Sequence, residues 1–118
     1  FNLRAMGAEV VLTRSDVEKG HPEYYQDLGA RIARERGYYH VNQFGNPDNP
    51  KAHAATTGPE ILEQMEGRLD AVVVGVGSSG TIAGLTHFFR ARLPTVQMIL
   101  ADPEGSVLAD QVNKGSYG

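Results

Sequence analysis

The chain has 118 residues, 41% of them hydrophobic and 21% charged, with a formal net charge of −3 and no cysteine. That is the size and composition of about one globular domain, without the basic stripe that nucleic-acid or anionic-membrane binding needs. No apolar run approaches the roughly 20 residues required to span a bilayer, and the lack of thiols excludes disulfides and thiolate metal sites and fits the cytoplasm.

The first residues, Phe1-Asn2-Leu3-Arg4-Ala5-Met6-Gly7, read as a helix tail running into a glycine stop. The last, Lys114-Gly115-Ser116-Tyr117-Gly118, close no element, so the sequence reads as an interior piece of a longer chain. Glu9 to Thr13 is a short apolar run with β-branched residues and predicts a buried strand. Ser15-x-x-Glu18 has the spacing of a capping box. From Pro22 the spacing becomes helical, with Tyr25, Leu28 and Ile32 on one face and Gly37 as the stop. Arg31, Arg34 and Arg36 in its last turns suit the negative end of the helix dipole.

Tyr38 to Val41 predicts a second strand. It leads into Gln43-Phe44-Gly45-Asn46-Pro47-Asp48-Asn49-Pro50, where two Asn-Pro pairs predict an irregular loop and a domain boundary. Thr57-Gly58-Pro59-Glu60 predicts a helix start with Thr57 as N-cap; Ile61, Leu62 and Met65 form its buried face and Gly67 its stop. Val72 to Val74 read as a central strand, Thr81 to about Ala91 as a helix, and Val96 to Ala101 as the next strand. Asp102-Pro103-Glu104-Gly105 is a turn, and Val107 to Val112 starts another helix. Alternating strands and helices predict an α/β fold, a parallel sheet with helices on both faces.

The chemistry concentrates after Val74, in Gly75-Val76-Gly77-Ser78-Ser79-Gly80-Thr81. Ligands of such sheets bind beyond the carboxyl ends of strands, where loops meet helix N-termini. Glycines let the backbone approach an anion, the first helical N–H groups point at it, and Ser78, Ser79 and Thr81 add hydroxyl donors. No Lys or Arg lies between Arg68 and Arg90, so backbone dipoles and hydroxyls carry the binding. Gly75-x-Gly77-x-x-Gly80 is also the spacing of a dinucleotide-binding fingerprint, with Asp102 near the place of a ribose-binding acid. Spacing alone does not separate that reading from a cup for one phosphomonoester.

A second motif bears on the choice. Gln43-Phe44-Gly45-Asn46-Pro47-Asp48-Asn49-Pro50-Lys51-Ala52-His53-Ala54-Ala55-Thr56-Thr57-Gly58-Pro59-Glu60-Ile61, followed by Val76 to Ile82, resembles the cysteine synthase and cystathionine β-synthase family of fold-type II enzymes. The resemblance runs from Met6 to Ser106. It implies pyridoxal 5′-phosphate as cofactor and β-replacement on a serine-type amino acid, with a thiol as second substrate. It matches Gly77, Ser78, Ser79, Gly80 and Thr81 to the loop that binds the cofactor phosphate, and Gln43 to a glutamine lining the substrate carboxylate site. The family more often has Gly-Thr-Gly-Gly-Thr there, so Ser78 and Ser79 depart from it, Ser79 by adding a side chain where glycine is usual. Asp102 to Ser106 leans towards cystathionine β-synthases.

The resemblance further implies a cytoplasmic homodimer. It assigns residues 1–45 to a smaller, mobile domain and 46–118 to the larger, cofactor-binding one. The Schiff-base lysine of the family falls before the start of this sequence, and Lys19, Lys51 and Lys114 do not match its context. The expectation is therefore a chain with a phosphate cup, no catalytic residue of its own and no activity by itself. The alternative is a nicotinamide-dinucleotide-binding domain of an oxidoreductase. His21, His40, His53 and His87 show no metal-ligand spacing, and His53 reads as structural or surface. Phe88 and Phe89 read as core.

Overall fold

The computed structural model describes residues 2–106 and Leu108. The chain divides into two compact units, Phe1–Asn42 and Gln43–Gly118.

In the first unit, α1 (Asn2–Ala5) ends as expected at Gly7, whose φ of 87° is the left-handed conformation of a helix stop. The main element is α2 (Tyr25–Arg36), closed by Gly37 at φ 67° and ψ 29°. It starts three residues later than Pro22. Asp27 in its first turn accepts a hydrogen bond from the Gly20 N–H at 2.9 Å, which ties down the preceding turn. Ala33 is buried and Leu28 and Ile32 are half-buried, so the expected face forms, while Tyr25 lies largely outside it. Arg36 does more than complement the helix dipole. It pairs with Glu9 at 2.8 Å, and that hydrogen bond raises the guanidinium pKa above its ordinary value.

The strands expected at 9–13 and 38–41 do not form, and those runs are irregular and exposed, Leu12 at 82% and Tyr39 at 79%. A strand needs a hydrogen-bonding neighbour, and among the described residues the ladder is confined to the second unit. The capping box at Ser15 starts no helix. There Asp16 accepts two hydrogen bonds from Arg14, which lower its carboxyl pKa.

The second unit runs α3 (Asp48–Ala55), α4 (Thr57–Gln64), β1 (Ala71–Gly75), α5 (Gly80–Arg92) and β2 (Gln97–Ala101). β1 and β2 pair in parallel, with Ala71 opposite Gln97 and Gly75 opposite Ala101, and α5 is their crossover. Residues alternate along both strands. Val72, Val74 and Met98 turn to a core built on Leu85 (2% exposed), Phe89 (1%) and Val96, with Ile61, Leu62, Leu69 and Leu93 around it. Burying side chains the size of Leu85 and Phe89 stabilises the unit by about 1.5–3 kcal/mol each. The parallel α/β architecture is the expected one. Within the described residues one sheet face is covered; the other, bearing Ala71, Val73, Ile99 and Ala101, is exposed.

The Asn-Pro stretch departs from expectation. Instead of an irregular loop through Pro50, α3 begins at Asp48. Pro50 sits in the first turn, where its missing N–H is no loss. Asn46 sets the start: its Oδ1 accepts from the Asp48 N–H at 3.0 Å and its carbonyl from the Asn49 N–H at 3.2 Å. Thr57 is not the N-cap either. Thr56 divides α3 from α4 at φ −124° and ψ −66°, and the Thr57 hydroxyl is engaged with His53 at 2.9 Å.

Two helix contacts depend on glycine. A Cβ on Gly58 would lie 2.6 Å from Phe88 Cδ1, which lets α4 pack on α5. A Cβ on Gly84 would lie 2.7 Å from His53 Cβ and overlap the Pro50 carbonyl, so α3 crosses α5 at close backbone range. Among the described residues no helix is long and apolar enough to cross a membrane, and no cluster of His, Asp and Glu is placed to hold a metal.

Candidate functional site

β1 delivers the chain at Gly75 to a four-residue loop, and Gly80 opens α5. Ser79 is the N-cap, at φ 67° and ψ −2°. This left-handed turn brings the chain round sharply, and Ser79 adopts it without being glycine. The first ladder bond of α5 is Ala83 N–H to the Ser79 carbonyl at 3.0 Å. The N–H groups of Gly80, Thr81 and Ile82 precede that bond and form the helix's positive end.

Facing this terminus is the segment from Gln43 into α3. Together they line an open cavity of about 210 Å³, walled by Gln43, Phe44, Gly45, Asn46, Pro47, Asn49, Pro50, Ser78, Ser79, Gly80 and Ala83. No lining residue is charged. The structure thus brings Gln43, Ser78, Ser79 and Gly80, expected as site residues from two separate motifs, around one cavity. Gly77 and Thr81 are not on its wall. Gly77 is exposed, with nothing within 4 Å of the position a Cβ would take. Thr81 is half-buried, and its hydroxyl meets His53 Nε2 at 3.2 Å.

Two residues outside the expected set hold the site together. Asn49 Nδ2 donates to the Gln43 carbonyl at 2.9 Å and to Ser78 Oγ at 3.1 Å. A Cβ on Gly80 would overlap the Asn49 side chain, so glycine is needed where α3 meets the start of α5. His53 bridges Thr57 through Nδ1 and Thr81 through Nε2. It is half-buried and, like Thr81, is not on the cavity wall. Nothing in the local pattern signals the contacts to Ser78 and Thr81, which lie across the fold on α5 and the loop before it. Lys51 pairs with Asp48 at 3.4 Å on the exposed side of α3. Asp102, just beyond β2, is not part of the cavity wall.

The donor set is three free helical N–H groups with hydroxyls beside them and no cation. It suits a compact dianion such as a phosphomonoester, held by dipoles rather than by ion pairs.

A sequence model of the family described as "Pyridoxal-phosphate dependent enzyme" matches residues 1–117. The chain belongs to that family. Among relatives of this pyridoxal-phosphate family member, "Cysteine synthase 3" of Caenorhabditis elegans is 44% identical over 108 residues, which is 91% of this chain and 32% of the relative. "Cystathionine beta-synthase" of Oryctolagus cuniculus is 40% identical over 109 residues, 92% of this chain and 20% of the relative. A crystal structure of O-ureido-L-serine synthase superposes with a TM-score of 0.79 at 29% identity, over 98% of this chain and 35% of that one. The chain therefore spans about a third or less of the length of these relatives. The matches support the pyridoxal-phosphate reading and do not favour a dinucleotide-binding domain.

Proposed function

We propose that this chain is the phosphate-anchoring part of a pyridoxal-phosphate enzyme that exchanges the β-substituent of a serine-type amino acid for a thiol, as in cysteine synthase or cystathionine β-synthase. The observation that carries the proposal is the uncharged cavity between the N-terminus of α5 and the Gln43 segment. Bound there, pyridoxal phosphate supplies an electron sink next to the amino-acid carbon that reacts.

The residues of this chain bind and orient. The Gly77–Thr81 loop holds the phosphate through backbone N–H groups, assisted by the Ser78 hydroxyl. Thr81 lies behind the cavity wall, and its bond to His53 fixes its rotamer. Gln43 faces the substrate side and offers its amide to a carboxylate. The Schiff-base lysine is outside this chain, so the chain alone forms no borohydride-reducible adduct with turnover. Residues 1–45 belong to the smaller, mobile domain and 46–118 to the larger; the division between compact units at Asn42 and Gln43 supports a boundary in this region. The full protein works as a cytoplasmic homodimer.

The test is the Ser78→Ala, Thr81→Ala double variant of the full-length protein. Losing the Ser78 hydrogen bond to a charged group, worth about 1.5–3 kcal/mol, together with the His53 contact that seats Thr81, lowers cofactor affinity at least about tenfold. Full cofactor occupancy by absorbance, at concentrations where the parent protein is just saturated, would falsify the assignment.

A further inference from the structure

We infer that Asn49 is a positioning residue that makes the Ser78 hydroxyl a donor into the cavity and fastens the Gln43 segment to the phosphate loop. The inference rests on the proposed phosphate reading and adds the side chain that sets the polarity of the site.

The argument is one of donor and acceptor counting. The carbonyl of Gln43 can only accept, so the Asn49 group 2.9 Å from it must be the NH₂, which fixes the orientation of the amide. The second hydrogen of the same NH₂ points at Ser78 Oγ, 3.1 Å away. Ser78 Oγ therefore accepts from Asn49, and its own hydrogen has to be given elsewhere. Among the described residues Ser78 Oγ has no other partner, and Ser78 lines the cavity. Its O–H is thus left to a ligand oxygen in the cavity, the polarity a phosphate dianion requires.

The contact is also held sterically. Asn49 packs over Gly80, where no Cβ fits, so it is seated against the first residue of α5. Through one amide, the segment carrying Gln43 and the loop carrying Ser78 keep a fixed spacing.

The test uses the full-length protein loaded with pyridoxal phosphate, and reads the cofactor dissociation rate and the ³¹P resonance of the bound phosphate. Asn49→Asp keeps the shape but can only accept, so it turns the Ser78 hydrogen away from the cavity. The expected result is about tenfold faster dissociation for Asn49→Asp and for Ser78→Ala, each with a displaced ³¹P resonance. In the Ser78→Ala background, Asn49→Asp adds less than about threefold and leaves the resonance where Ser78→Ala put it. Carboxylate repulsion of the phosphate acts equally in both backgrounds, so a full tenfold effect in each overturns the inference, as does an Asn49→Asp protein that behaves as the parent.

If Asn49→Asp fails to fold, Asn49→Ala replaces it. It is expected to speed release about threefold alone and not at all beside Ser78→Ala; equal effects in both backgrounds overturn the inference. If Ser78→Ala itself changes neither rate nor resonance, the phosphate reading has failed and this inference falls with it. An effective Ser78→Ala with an Asn49 effect independent of it removes the Asn49 role alone.

Discussion

Ser79 holds a left-handed backbone at φ 67° where a side chain costs about 1–2 kcal/mol relative to glycine. Its hydroxyl adds a donor on the cavity wall, but the turn does not need it. Ser79→Gly is therefore expected to stabilise the protein by about 1 kcal/mol, net of the entropy glycine adds to the unfolded chain, and to disturb cofactor binding less than Ser78→Ala does. Melting of the two variants checks this; a lower midpoint for Ser79→Gly contradicts it. The strand–loop–helix junction that brings Ser78, Ser79 and Gly80 to the cavity was legible in the sequence because a helix N-terminus is local: its backbone donors come from adjacent residues. Asn49 and His53 were not. Each acts across the fold, on Ser78 and Thr81, and an Asn in an Asn-Pro pair or a lone His carries no mark of a distant partner.

At the scale of elements, the pairing of α3 with α5 decides where the cavity sits. Gly84 faces α3, and the sign of a Gly84→Ala change separates two effects. Helix propensity alone favours alanine by about 1 kcal/mol. Overlap with the Pro50 carbonyl and His53 opposes it, and overpacking of this kind costs about 1–3 kcal/mol. Backbone carbonyl is a hard wall, so destabilisation wins, and urea unfolding is expected to show a lower midpoint; a raised one would mean that α3 shifts freely. The sequence concealed α3 because Asn-Pro pairs usually end structure, whereas here Pro47 precedes the helix and Pro50 occupies its first turn. The opposite error arose at Glu9–Thr13 and Tyr38–Val41. Apolar, β-branched runs favour a strand, but strand formation depends on a neighbour that periodicity does not contain. β1 and β2 were legible because a crossover helix of the right length connects them.

At the scale of the whole molecule, the described residues of the second unit carry a βαβ unit with one covered sheet face. Val73 is 64% exposed on the other, and among the described residues the two parallel strands leave two open edges. Such a surface pairs with further chain. The 118-residue chain by itself is expected to bind a hydrophobic dye and to associate with concentration in sedimentation; a compact, dye-silent monomer at all concentrations would contradict that. The central claim is that the phosphate of pyridoxal phosphate lies at the N-terminus of α5. Backbone hydrogen–deuterium exchange of the full-length protein, with and without cofactor, tests it most directly. The account predicts that, within this chain, protection on binding is strongest at the amides of Gly77 to Ile82, with a weaker effect at Gln43 to Asn46. Protection that leaves Gly80, Thr81 and Ile82 exchanging as in the apoprotein would contradict it.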